Sequence, residues 1–447
     1  MRIGVTRRSV LRTTALATGT LSLPFMHGSY AAGKLAVGFW DHWVPGANAP
    51  IEALCREWGA KEKVDVAVDF ITSNGDKDLL TLMAEGQARA GHDILSITSW
   101  YAGGQAEKLE PVDDVMAAII AEHGKPSTGA EYLGHHNGHW VAVPTSFGTT
   151  VSPPCARIDY FKEHVGLDLT KMYSPSGVPD KDLVDKWTWD FFLEAAAKCH
   201  KAGVPFGMPM GTTPDAVNWV GTMFTAHGAQ MVDKDGNITV KSDATRQVLE
   251  WFKKAVPLFP AGVFAWNDAS NNKALISGQS ALIMNAPSAW AVAKRDAPKI
   301  AEQLWTFQPP KGPKGRFITG IYRFLGIWNF SPNKSAAKSL LAFLSTRAAV
   351  ERLVTASQGF DMPPFDKLQD FPVWGQAEPP KGTLANFPPR GDTMVSVTGY
   401  PAPAKIGVQI YAQGTACKMI AKCTQDGRSI DAAMDFAATE LESFMRS

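Results

Sequence analysis

The chain has 447 residues, 44 Lys and Arg against 43 Asp and Glu, and 14 Trp in a composition that is 45% hydrophobic. That length suits two or three domains, and the near-neutral charge argues against nucleic acid or an anionic membrane as partner. Cys55, Cys155, Cys199, Cys417 and Cys423 are an odd, scattered set without metal-ligand spacing, so neither a disulfide scaffold nor a cysteine metal centre is expected.

Thr6-Arg7-Arg8-Ser9-Val10-Leu11-Arg12 opens the chain, an uncharged and mildly apolar run follows from Thr13 to Phe25, and Ser29-Tyr30-Ala31 offers small residues for cleavage. This order predicts a secretory signal over 1–31, cleaved near Ala31. The paired arginines resemble a twin-arginine signal, with Val10 where Phe is usual and Arg12 where Lys is usual. Cleavage would leave 40 Lys and Arg against 43 Asp and Glu, a net charge of −3. No later run approaches the ~20 apolar residues a bilayer requires, so a soluble periplasmic protein is expected.

Lys34 to Phe39 predicts a strand, Ile51 to Lys61 a helix, Val64 to Ile71 an alternating strand, Lys77 to Ala88 a helix and Asp93 to Thr98 a strand. Alternation at this spacing predicts an α/β fold with a largely parallel sheet. Ligands bind beyond the carboxyl ends of such strands. The residues there are Trp40-Asp41-His42-Trp43, Ser73-Asn74-Gly75 and Ser99-Trp100-Tyr101. Together these loops supply aromatics, an amide and a carboxylate.

Asn137-Gly138 predicts a hairpin turn before His139 to Val143, and Pro144 to Gly148 reads as a crossing segment. Trp187-Thr188-Trp189-Asp190 opens a helix that Thr188 or Asp190 could cap. Asp235-Gly236 predicts a second hairpin turn, Ala244 to Lys254 and Ser335 to Leu344 are amphipathic helices, and Met362 to Pro389 is irregular. Two final helices are expected over Ala404 to Lys422 and Ile430 to Phe444. Cys417 and Cys423 would share the first, ~9 Å apart along its axis and beyond disulfide reach, so the cysteines are expected to be mostly buried free thiols.

The segment from Trp266 to Trp290 combines an aromatic and amide cluster (Trp266, Asn267, Asp268, Asn271, Asn272), a Ser277-Gly278 turn and an apolar strand from Ala281 to Met284. The strand leads into Asn285, Pro287, Ser288 and Trp290. Flat rings beside amides and carboxylates suit a ligand with CH faces and hydroxyl edges. The same rings could equally be core, because Trp is highly buried on average.

Other signals point elsewhere. His135, His136 and His139 surround the hairpin turn without the carboxylate or regular spacing of a metal site. Asp233-Lys234-Asp235-Gly236 starts like a calcium loop, but the twelfth position is Ala244. No phosphate-binding loop, zinc-protease helix or serine-hydrolase elbow is present. Asp41 and Asp268 are the best pair for glycoside cleavage, although both read more simply as groups that bind hydroxyls.

The order and spacing of four segments carry a family resemblance: Ala88 to Asp114, Trp187 to Cys199, Ala274 to Trp290, and Arg323 to Leu344 centred on FSPNKSAAKSLLAFL. They resemble the bacterial extracellular solute-binding proteins of ABC transporters, in the group with maltose- and other sugar-binding members. The resemblance implies two α/β lobes, 32–145 with 321–365 and 146–320 with 366–447, joined by hinge crossings and closing on ligand. It places Asp41 at a polar ligand contact, Trp100 and Tyr101 on a third ligand loop, and Trp290 at a stacking aromatic. Tyr322 and Arg323 fall near a later crossing. Relatives carry an aromatic-Asn-Lys run after the first hinge, where this chain has Ser152-Pro153-Pro154-Cys155-Ala156-Arg157.

The combined expectation is a monomeric binding protein, not an enzyme, that captures a carbohydrate or polyol for the transmembrane subunits of an ABC permease without cofactor or metal. Trp40, Trp43, Trp100 and Tyr101 would stack on the solute against Trp266 and Trp290. Asp41, Asn74, Asp268, Asn285, Ser288 and Arg323 would supply polar contacts. Two alternatives stay open: a binding protein for an amine or organic acid, and an exported carbohydrate-active enzyme.

Overall fold

The computed structural model describes residues 33–446; the signal segment expected over 1–31 lies outside the described residues. Three strands, β1 (Lys34–Trp40), β2 (Asp65–Ile71) and β3 (Ile94–Thr98), alternate with α1 (Asn48–Glu62) and α2 (Lys77–Ala88). β1 pairs in parallel with both β2 and β3, so the loops beyond all three carboxyl ends open on one edge. These bounds agree with the sequence reading to within three residues. Asn137 and Gly138 have φ of 52° and 84°, the left-handed pair that a type I′ hairpin turn demands.

The chain crosses to a second lobe through β4 (Val143–Val151), which contains the expected crossing segment and is buried along its whole length. The second lobe holds a small antiparallel sheet in which β5 (Pro154–Arg157) lies between β6 (Leu282–Met284) and β7 (Leu304–Thr306). The chain returns through β8 (Gly315–Ile327), which pairs antiparallel with both β3 and β4. Alternate side chains of β8 enter different apolar clusters: Phe324 joins one, Leu325 and Ile327 the other. This is the period-2 geometry of a strand buried on both faces.

Helices surround both sheets. α3 (Trp189–Lys201) is capped by Thr188, whose hydroxyl accepts from the Phe191 N–H at 3.2 Å. α4 (Pro214–His227) starts with Pro at its first turn, ends at Gly228 with φ 72°, and is buried over nearly its whole length. α5 (Asp243–Ala255), α6 (Ser270–Ile276) and α7 (Ser288–Asp296) complete the middle of the chain. α8 (Lys334–Leu344) and α9 (Arg347–Ala356) pack on α1.

One expected helix is two. The run from Ala404 to Lys422 is broken into α10 (Ala404–Gln413) and α11 (Thr415–Thr424) at Gly414, whose φ of 58° ends the first helix. A Cβ on Gly414 would come within 2.9 Å of the Thr212 side chain, so the break lets the chain pass close to the segment that leads into α4. α12 (Ile430–Arg446) packs against α11, and both lie near α5. All five cysteines are free and buried, with Cys417 and Cys423 together on α11. Among the described residues, no helix is long and apolar enough to cross a membrane.

Candidate ligand-binding cleft

A cavity of about 220 Å³ lies between the lobes, at the carboxyl ends of β1, β2 and β3. Its first wall is built from those ends: Trp40 and Trp43 after β1, Ser73, Asp76 and Asp78 after β2, and Tyr101 after β3. The Trp40 indole N–H donates to the Ser73 hydroxyl at 3.2 Å, which fixes the ring. The Arg323 guanidinium lies over that ring, 4.4 Å from its centroid, and donates to the Asp78 carboxylate at 3.4 Å.

Arg323 reaches the cavity because β8 carries an irregularity between Ile321 and Arg323. Such a bulge redirects the side chains that follow it. Burial pulls the Arg323 guanidinium below its ordinary value, and the Asp78 charge opposes that pull. Its Nε has no hydrogen-bond partner among the described residues. Gly148 of β4 has φ +83°, and a Cβ there would approach Trp40 to 2.8 Å and Arg323 to 3.0 Å. A glycine at this crossing is therefore what allows ring and guanidinium to stack.

A buried link supports this wall. His42 Nδ1 accepts from the Val44 N–H at 2.9 Å, so Nε2 is the nitrogen left to donate, and it meets Asp361 at 3.0 Å. Asp361 also accepts from the Gly148 N–H at 2.8 Å. The end of β1, the first crossing and the segment at Phe360 are thereby tied together behind Trp40.

The opposite wall is a polar network. Asn271 donates to Asp215 at 3.0 Å, Asn285 donates to Asn271 at 3.3 Å and to Asn272 at 2.8 Å, and Asn272 donates to the Ser288 hydroxyl at 3.0 Å. The Asp215 backbone N–H donates to Asp268 at 3.3 Å. Burial, then the neighbouring Asp268 charge, pushes the Asp215 carboxyl well above the usual carboxylate range. Burial also raises Asp268, with Asp76 and Asp78 adding to the effect. Tyr411 from the end of α10 closes this side, and its ring lies 6.1 Å from that of Tyr101 across the cleft. Burial and the charges of Asp76 and Asp78 push the Tyr101 phenol up to about 12.

Of the residues expected at the site, the fold brings Trp40, Trp43, Tyr101, Asp268, Asn285, Ser288 and Arg323 together around this cavity. Five others do not line it. Asp41 is exposed and accepts from the Asn48 side chain at 2.8 Å, next to the start of α1. Asn74 is exposed in a tight turn, with its N–H donating to the Thr72 hydroxyl. Trp100 is fully buried, donates to the Thr398 carbonyl at 2.6 Å, and packs where a Cβ on Gly407 would be only 2.4 Å away. Trp266 is half-buried against the second lobe's core. Trp290 is 1% exposed and donates to the Pro379 carbonyl at 2.6 Å, so its ring is core.

The sequence reading did not single out Asp76, Asp78, Asp215, Phe360 or Tyr411. Asp76 and Asp78 stand just beyond the Ser73-Asn74-Gly75 loop that was noted. Asn271 and Asn272 belong to the amide cluster of the Trp266 to Trp290 segment, and both join the network on the opposite wall. Asp215 had a local signal, an acid following Pro at a helix start. Tyr411 had none, since only the packing of α10 brings it to the cleft.

Two α/β lobes joined by crossing strands, with an enclosed cavity between them, define the periplasmic-binding-protein architecture. A family profile described as "Bacterial extracellular solute-binding protein" matches residues 58–381, and the chain belongs to that family. It is 26% identical over 252 residues to a "Probable ABC transporter-binding protein" of Deinococcus radiodurans, a match covering 52% of this chain and 57% of that relative. The chain thus spans little more than half the length of the curated relative it matches.

Solved structures are similar in fold. A maltose-bound MalE3 of T. maritima superposes with TM-score 0.72 at 18% identity, covering 92% of this chain and 99% of that one. A sugar transporter protein of Arthrobacter chlorophenolicus with bound laminaribiose gives TM-score 0.72 at 14% identity, covering 92% and 99%. A solute-binding protein of Thermotoga lettingae bound with α-D-tagatose gives 0.70 at 16% identity, covering 92% and 100%.

Proposed function

We propose that this chain is the exported solute-capturing component of an ABC importer and that its cargo is a carbohydrate or polyol. The observation that carries the reading is the composition of the cleft. Half-buried aromatic rings at Trp43 and Tyr101, beside the buried rings of Trp40 and Tyr411, meet a wall of amides, carboxylates and a hydroxyl held by hydrogen bonds to one another. Such a pocket offers CH faces a stacking surface and hydroxyl edges preset partners. The sugars held by similarly folded structures favour the same cargo.

The mechanism is capture without turnover. A solute touching both walls lowers the free energy of the closed form only through contacts that the open form cannot make. The closed lobes then dock on the transmembrane permease, and the protein acts as a monomer in the periplasm after loss of 1–31. The lobe limits of 32–145 with 321–365 and 146–320 with 366–447 are part of this proposal. They are supported by α8 and α9 packing on α1, and by α11 packing on α4 and α5.

The cleavage pair considered from sequence gains little support, because Asp41 is turned to Asn48 while Asp268 lines the cleft. A thermal-shift screen of sugars, polyols, polyamines and organic acids tests the reading, since a ligand raises the melting temperature by mass action. A shift given by sugars or polyols is the expected result. A shift confined to polyamines or organic acids, or release of product from a labelled oligosaccharide, would overturn it.

A further inference from the structure

We infer that the solute held in this cleft carries a protonated amine among its hydroxyl groups, as an amino sugar or an aminated polyol does. The inference rests on the carbohydrate or polyol reading above and narrows it. The charged side chains that line the cavity are four carboxylates, Asp76, Asp78, Asp215 and Asp268, and one guanidinium, Arg323. Arg323 is committed to Asp78. The other three carboxylates form no ion pair among the described residues. A neutral sugar would bring no counter-charge to them.

The geometry concentrates the problem at one point. Asp215, 7% exposed in the first turn of α4, and Asp268, in the loop before α6, are held together by the bond from the Asp215 N–H to Asp268. Two carboxyl groups sharing a buried site cannot both ionise unless a proton or another cation joins them. Burial already pushes both groups up, with the Asp268 charge adding to the effect on Asp215 and the Asp76 and Asp78 charges adding to that on Asp268. A ligand ammonium between them replaces the proton and supplies three donors to a wall otherwise rich in acceptors.

A second observation concerns the rest of the ligand. Two buried groups in the cavity wall, Arg323 Nε and the Ser96 hydroxyl, have no hydrogen-bond partner among the described residues. Both residues are nine-tenths or more buried, and a ligand oxygen drawn against this wall would supply the partner that each atom lacks. The cleft therefore presents the Asp215 and Asp268 carboxyl groups at its α4 side and, at its β3 and β8 side, the Arg323 Nε–H and the Ser96 hydroxyl beside the Asp78 carboxylate. That polarity matches a molecule with an amine at one end and hydroxyl or ring oxygens at the other. The Tyr101 and Tyr411 rings, in edge-to-face contact with each other, also line the cavity.

Calorimetry on the purified mature chain at neutral pH tests this with matched ligands: glucosamine against glucose and N-acetylglucosamine, galactosamine against galactose, and 1-amino-1-deoxyglucitol against glucitol. The expected result is that an aminated member binds at least tenfold more tightly than its neutral counterparts. In Asp215→Asn that preference should collapse toward equality. Asp76→Asn, on the exposed rim, should reduce it several-fold and serves where Asp215→Asn fails to fold. Neutral sugars binding as well as or better than their amines would overturn the inference and leave the carbohydrate reading standing. Binding of putrescine, spermidine or citrate with no response to any sugar or polyol would overturn both. So would a complete absence of response to every aminated and neutral member.

Discussion

Replacing Trp290 by Ala separates the two roles its ring could have. The side chain is 1% exposed and shares an apolar cluster with Leu275, Ile283, Ala286 and Leu304. Truncating a buried Trp to Ala costs about 3–5 kcal/mol. The Pro379 carbonyl loses its indole donor, which adds about 1 kcal/mol or more. Lys294, 5.1 Å from the ring centroid, loses a further ~0.5 kcal/mol of cation–π contact. The total of about 5 kcal/mol is a large share of the ~5–15 kcal/mol that holds a protein folded.

Urea titration should therefore show the midpoint falling by about 1–2 M for a slope near 3 kcal/mol/M. The affinity per folded molecule, measured by calorimetry with whichever solute the thermal screen identifies, should stay within a few-fold of wild type. Trp43→Ala provides the contrast. That ring is half-buried and lines the cleft, so it should lose less than half as much stability and at least tenfold in affinity. The reasoning fails if Trp290→Ala keeps its stability and loses binding.

Three further outcomes are expected. Gly148→Ala must adopt φ +83° and fit a Cβ 2.8 Å from Trp40, which together cost about 2–4 kcal/mol and displace the ring; urea titration and solute affinity should both fall. His92 lies between Glu85 and Asp69; burial opposes its charge, the two carboxylates outweigh that, and its pKa is raised. Its stabilisation should be complete below the unfolded value of about 6.5 and be lost as pH rises through the folded value. The stability gap between wild type and His92→Gln should therefore narrow over that window in urea titrations at several pH values. Burial pushes the thiols of Cys55, Cys155, Cys199 and Cys417 up to about 12, so a thiol reagent at mildly alkaline pH should find almost none in the native protein and all five after denaturation.

Much of the first lobe was legible because its signals are local. The period-2 run in β2, the helical period in α2 and the Asn137-Gly138 turn are each set by a handful of neighbouring residues. The same periodicity places the strand-end loops on the edge that opens to the cleft, with Trp40, Trp43 and Tyr101 among its residues. The break at Gly414 was missed because a glycine within a helical pattern is tolerated as often as it ends one. Only the approach to Thr212 decides which occurs here.

What the sequence determined by itself was the alternation of strands and helices, the crossing segment at Pro144 to Gly148, and the aromatic and amide character of the strand-end loops. The tertiary structure decided which of those side chains face the cleft. Trp40 and Trp290 are alike as residues beside strand ends, yet one is held against Arg323 and the other against Pro379. That choice depends on which distant segment supplies each indole with its partner. The carboxylate pair follows the same rule. Asp215 and Asp268 are 53 positions apart in the chain, and only the packing of α4 against the loop before α6 brings them together.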